Sequence, residues 1–297
     1  MTPSVQLAAQ HILRNLNTNK RPLFVAIQGP QGSGKSYLSK RLQEHLQSPP
    51  LSLRVAVLSI DDLYRPHDGL VSLAETHPHN SLWKGRGQPG THDVNFGLEL
   101  LSAIRTGSQS IELPRFDKSL FAGEGDRLPM DGTGPIVEQP PSIDVLIFEG
   151  WCVGFSPISE EELQLRWTGI WQSELHKLQL NPNSFRLQDI RAINSTLTLY
   201  LALWDFFDVY ISLRPDSSST SDDSLYSVVY KWRLEQEHKM KLSNGGRGMT
   251  DTEVKLFVDR YIPGYVFFGD LDRIRWREKG LVLTLDEGRN VVKDEVL

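Results

Sequence analysis

Short, unbroken apolar runs punctuate the chain at Leu23 to Ile27, Arg54 to Ile60, Ile143 to Phe148 and Phe206 to Leu213. Runs of this length, rich in β-formers and lacking polar alternation, read as strands buried on both faces, as in parallel sheet. Between them the spacing changes to that of helices. Leu38, Leu42 and Leu46 recur every fourth residue, and Val5, Ala8, Ile12, Leu13 and Leu16 form a similar stripe near the N-terminus. Further helices are expected over Phe96 to Ile104, over Ser159 to Leu180 as one continuous element, over Arg186 to Leu203 and over Leu225 to Leu242. Thr250 to Glu253 opens another, which Pro263-Gly264 should stop. Ile274 to Arg277 and Leu281 to Leu285 read as one or two closing strands. Strands alternating with helices predict an α/β fold with a mostly parallel sheet of about five strands flanked by helices.

Two stretches break the pattern, 65–93 and 119–142, both rich in Gly and Pro. They read as loop insertions in a single domain spanning 1–297, with a lid region at about 215–250. The polar tract from Asp216 to Ser224 cannot bury apolar surface and is expected to be mobile. Phosphorylation of its serines, beside Asp222 and Asp223, would add negative charge near that lid and slow its closure.

The chemistry gathers at the end of the first apolar run. Gly29-Pro30-Gln31-Gly32-Ser33-Gly34-Lys35-Ser36 satisfies the P-loop pattern of Gly, four residues, then Gly-Lys-Ser, in the required strand, loop, helix order. Glycines let the loop wrap so that several N–H groups point inward, and the following helix adds the positive end of its dipole. Lys35 then reaches the β and γ phosphates, Ser36 places its hydroxyl on magnesium, and Tyr37 adjoins the nucleotide. A dinucleotide loop is the rival reading, but Tyr37 stands where its third glycine is needed.

Other strand ends carry acids. The second run ends on Asp61-Asp62-Leu63-Tyr64, which lies at the ligand side of an open parallel sheet, although Asp62 serves equally well as a cap. Phe148-Glu149-Gly150 closes the third, where a carboxylate orders magnesium beside a P-loop. Arg86 to Asp93 packs donors, the base His92 and a carboxylate into a tight turn, read as a substrate wall or a surface loop. Arg115, Asp117 and Lys118 follow the short strand Ser110 to Leu113 and read as substrate contacts or a charged solvent turn. His77 and His79 would need two more ligands to hold a metal.

A formal charge of −5 argues against nucleic acid and anionic membrane surfaces as partners. Cys152 is the lone cysteine, so an internal disulfide and a Cys-rich zinc site are excluded. The N-terminal stripe lacks the apolar centre of a signal peptide, and no run has the length of a membrane span. A cytosolic location, with the nucleus as a second compartment, is expected, and the Asn194-Ser195-Thr196 sequon should go unused. A monomer is favoured.

Taken with Gly90-Thr91-His92-Asp93, Pro114 to Ser119, Phe148 to Trp151 and Met249-Thr250-Asp251 through Arg260-Tyr261, these motifs make the chain resemble the D-glycerate 3-kinase family, most closely its fungal ATP-binding members. Uridine kinase, phosphoribulokinase and pantothenate kinase stand behind that family. The resemblance spans roughly Pro22 to Tyr265 and implies transfer of the ATP γ-phosphoryl group to a hydroxyl, with a mobile lid. It implies Asp61 as the base that accepts the hydroxyl proton, Arg233 as the lid cation, and Asp62, Tyr64, Arg86, His92, Asp93, Arg115, Asp117 and Lys118 as acceptor contacts. ATP and Mg2+ are the implied cofactors. D-glycerate or another small anion is the expected acceptor, with a nucleoside, a pantothenate-like molecule or a regulatory protein without turnover as the alternatives. Leu63 stands where related kinases commonly have Phe, and the guanine-reading Asn-Lys-x-Asp of regulatory GTPases is absent.

Overall fold

The computed structural model describes residues 2–16, 22–217, 223–243, 245–270 and 272–297. Ser218 to Asp222 of the polar tract lie outside the described residues. Apart from the short Ser110 to Leu113 run, where Ile111 and Glu112 pair with Val137 and Ile136 in a separate ribbon, the expected strands form one sheet: β1 (Leu23–Gln28), β2 (Val55–Ser59), β3 (Val145–Gly150), β4 (Val209–Pro215), β5 (Gly280–Leu285) and β6 (Val291–Val296). Its order is β6-β5-β4-β1-β3-β2. The five expected strands are parallel, and β6 adds an antiparallel edge. Lys293, Asp294 and Glu295 charge that edge, which discourages pairing with another chain.

Period-two alternation in β1 separates two cores. Val25 and Ile27 face α1 (Pro3–Leu16) and α2 (Lys35–Gln47), packing with Ile12, Leu38, Leu42 and Leu46. Phe24 and Ala26 face the larger core, which contains α4 (Val94–Thr106), α7 (Leu187–Trp204) and the tryptophans 151, 171 and 204. Neither face of β1 reaches solvent, as its unbroken apolar run requires.

Several expected boundaries shift for identifiable reasons. The 65–93 stretch is not wholly irregular: α3 (His67–Thr76) forms there and buries Leu70. The helix expected over 159–180 breaks at Gly169, whose φ of −105° and ψ of −102° divide it into α5 (Glu160–Thr168) and α6 (Ile170–Lys177). After α8 (Ser227–Ser243) and α9 (Asp251–Asp259), Pro263-Gly264 begins a helix instead of stopping one. Pro263 lies in the first turn of α10 (Ile262–Phe268), where its missing N–H costs no hydrogen bond. Gly264 lies so close to Trp151 that a Cβ would be 2.7 Å from the ring. Ile274 to Arg277 is a turn, so both closing strands lie after it. Among the described residues no helix is long and apolar enough to cross a membrane.

Because Leu42 is fully buried where α2 rests on the sheet, Leu42→Ala is expected to cost about 2–5 kcal/mol of unfolding free energy. Urea denaturation followed by circular dichroism measures that loss.

Candidate active site

Parallel register gathers the site. Ile27 pairs with Glu149 across β1 and β3, and Ser59 pairs with the same Glu149 across β3 and β2. The P-loop, Glu149 and the acids beyond Ser59 therefore emerge at one edge of the sheet, at its carboxyl ends. Gly34, at φ 94°, turns the chain into α2, whose first residue is Lys35. Tyr265 braces the loop from outside, its hydroxyl accepting from Gln31 N–H at 3.0 Å.

Lys35 is buried and donates from Nζ to the Pro30 carbonyl at 2.9 Å. Burial lowers its pKa, while the charges of Glu149 and Asp61 oppose that fall. Ser36 Oγ donates to Glu149 Oε1 at 2.8 Å, so the hydroxyl and carboxylate expected to serve magnesium already adjoin. Among the described residues no three His, Cys, Asp or Glu side chains form a metal cage. A pair of hard oxygen donors beside a phosphate site suits Mg2+, which binds through one or two carboxylates plus phosphates and keeps several waters.

A cavity of about 590 Å³ joins these groups, within the range of small-molecule sites. Asp61, Lys118, Glu149 and Trp151 line it together with the P-loop residues Gln31 to Ser36, and Tyr37, Leu285 and Asn290 also contribute.

Adjacent acids take opposite states. Burial alone would raise Asp61, but the Lys118 ammonium, 2.6 Å from Oδ2, overcomes it and pulls the carboxyl down to about 2. Asp62 turns the other way and accepts from Phe116 N–H at 3.2 Å; burial, aided by the neighbouring Asp61 charge, pushes it up to about 6. It does not line the cavity.

None of the remaining expected contacts lines this cavity, and each has a place in the surrounding scaffold. Tyr64 and Tyr261 are buried rings beside Asp61, and neither hydroxyl has a hydrogen-bond partner among the described residues. Gly87 abuts Tyr261, since a Cβ there would lie 2.8 Å from its hydroxyl oxygen. His92 is not an exposed donor: it stacks on Tyr64 at 4.5 Å, and burial lowers its pKa to about 4. The Tyr200 hydroxyl accepts from Gly90 N–H at 2.8 Å and shares a hydrogen bond with His92 Nδ1 at 2.8 Å. His92 thus supports Tyr64 from behind.

Arg86 donates to the Gly123 carbonyl at 2.6 Å and lies over Phe116, closing the rim of the loop. Asp93 caps α4 and pairs with Arg127 at 3.2 Å. Asp117 accepts from Ser119, and Arg115 donates to Thr133 Oγ1 at 2.7 Å. Arg233 pairs with buried Glu237 at 2.7 Å and lies over Phe257, so Gln236 and Lys239 are the α8 residues on the cavity. For Asp93, Asp117, Arg115 and Arg233 the nearest partner within the fold takes up the side chain. Sequence reasoning missed the turn at Gly288, Arg289 and Asn290, because no local signal places a C-terminal hairpin beside a P-loop.

Main-chain amides and a lysine for phosphates, with a carboxylate across the same cavity for a hydroxyl proton, define a P-loop kinase acting on small molecules. Relatives agree. The chain is 36% identical over 289 residues to "Probable ATP-dependent kinase TDA10" of Saccharomyces cerevisiae, covering 92% of this chain and 88% of that one. It is 29% identical over 286 residues to "D-glycerate 3-kinase, chloroplastic" of Arabidopsis thaliana, covering 91% of this chain and 54% of that protein. The solved D-glycerate 3-kinase from Cryptococcus neoformans superposes with a TM-score of 0.85 at 36% identity, covering 99% of both chains. No protein-family profile matches. The chain belongs to the D-glycerate 3-kinase family and is an ATP-dependent small-molecule kinase.

The raised Asp62 carboxyl has a measurable consequence. Its folded pKa of about 6 lies above the unfolded value of 3.8, so the fold holds an extra proton between these limits. Stability should therefore fall as pH rises from about 4 to about 6. Asp62→Asn is expected to flatten that part of the profile, as read from melting temperatures across the range.

Proposed function

We propose that this kinase phosphorylates D-glycerate or a similarly small anionic hydroxy acid, using ATP with magnesium. The observation that carries the reading is the Asp61–Lys118 pair at 2.6 Å, on the cavity that also holds the P-loop lysine. A fixed cation beside the proton acceptor suits an acceptor that carries its own carboxylate. A neutral nucleoside would call for an open aromatic face, and His92 already covers one face of Tyr64. The name of the Cryptococcus neoformans structure supports the same acceptor.

In this reading Lys35 leaves the Pro30 carbonyl for the phosphates, and the P-loop amides hold them in line. Ser36 and Glu149 would hold magnesium, which would supply charge neutralisation at the phosphates. Asp61 takes the hydroxyl proton, and Lys118, on the same cavity, faces the acceptor's carboxylate. A carboxylate held down to about 2 is a weak base, yet phosphoryl transfer asks mainly for positioning and charge neutralisation. Asp62 is the stronger base by pKa but faces the Phe116 amide, and reach comes before basicity.

Purified protein with ATP and magnesium should release ADP with D-glycerate and not with L-glycerate, uridine or pantothenate. Product from another acceptor alone would overturn the acceptor, and ADP release independent of every acceptor would favour a nucleotide-sensing role. Lys35→Ala should abolish transfer. Asp61→Asn should lower kcat by about 10²–10⁴-fold with the KM for ATP little changed.

A further inference from the structure

The turn joining β5 to β6 carries a junction that the reaction outlined above does not use. Arg289 adopts a φ of 65°, a left-handed conformation that residues with a Cβ seldom take. Its guanidinium reaches two other elements. Nε donates to the Gly32 carbonyl of the P-loop at 2.7 Å. One terminal nitrogen pairs with Glu235 of α8 at 2.7 Å, and the other donates to the Trp232 carbonyl at 3.2 Å. The hairpin turn accepts in return, from Trp232 Nε1 to the Glu287 carbonyl at 2.7 Å.

This joint leaves no slack. Gly32 has a φ of 74°, and a Cβ there would lie 2.6 Å from the Trp232 carbonyl carbon, so α8 rests directly on the P-loop backbone. Each of the three joined elements also contributes to the cavity: Gly32 and Ser33 from the P-loop, Gln236 and Lys239 from α8, and Gly288 to Asn290 from the turn.

We propose that Arg289 is a positioning residue for the nucleotide, holding the P-loop apex, α8 and the β5–β6 turn in the one arrangement that closes the cavity around ATP. The proposal rests on ATP occupying this cavity and is independent of which acceptor is phosphorylated. A planar fork suits the joint, because three separate nitrogens each meet their own acceptor, whereas a lysine ammonium would have to reach all three from one point.

The test is calorimetric titration of the full-length protein with a magnesium complex of a non-hydrolysable ATP analogue, with melting of the ligand-free protein measured in parallel. Arg289→Ala should weaken binding about tenfold or more, the loss of a charged hydrogen-bond set. Arg289→Lys should also bind more weakly while the ligand-free protein melts close to wild type, and the KM for the acceptor should stay unchanged. Arg273→Ala removes an ion pair to Glu295 from the β5–β6 region without touching the cavity and should leave analogue binding intact. Wild-type affinity in Arg289→Lys would overturn the proposal, whatever Arg289→Ala does to folding. Failure of the wild-type protein to bind the analogue would instead overturn the ATP site itself.

Discussion

A buried cation facing two carboxylates is the constraint on which the site depends. Lys35 is enclosed at the start of α2, where burial works against its charge and Glu149 and Asp61 favour it. Those acids come from two other strands, and only parallel pairing at a fixed register brings the three groups together. A one-residue slip between β1 and β3 would turn Glu149 to the opposite face of the sheet. The observed register is the one in which Phe24 and Ala26 fill one core while Val25 and Ile27 fill the other.

Asp61 and Asp62 show how little a residue's type says about its state. They are neighbours in a short 3₁₀ turn, yet one is drawn down to about 2 and the other raised to about 6. Lys118 accounts for the first and burial for the second. Lys118 lies two residues beyond Phe116, whose ring packs against Tyr64 at 5.2 Å. That aromatic contact lies at the base of the segment that brings the ammonium to Asp61.

Glycine serves the site in two distinct ways. At Gly34 a Cβ would meet nothing within 4 Å, so its left-handed backbone alone calls for glycine. At Gly32 the backbone of α8 occupies the space a side chain would need. The first shapes the phosphate cradle, and the second lets a distant helix lie on it. Tyr265 and Arg289 complete this support by holding a P-loop N–H and a P-loop carbonyl.

Local pattern alone determined the P-loop, the strands that end on Asp61 and Glu149, and the parallel α/β class. Each of these is a short-range signal: backbone conformation at glycines, an apolar run, an acid at the end of that run. Tertiary packing decided which charged side chains reach the cavity. Arg233 and Glu237 are four residues apart and share one face of α8, while Gln236 and Lys239 share another. Periodicity reveals both faces and cannot say which one meets the P-loop. Trp232 decides it by packing against Gly32 and the β5–β6 turn. For the same reason Asp93 became a helix cap, Asp117 a turn acceptor and His92 the support of Tyr64. Arg289 could be read only from the fold, because 257 residues separate it from the Gly32 carbonyl it holds.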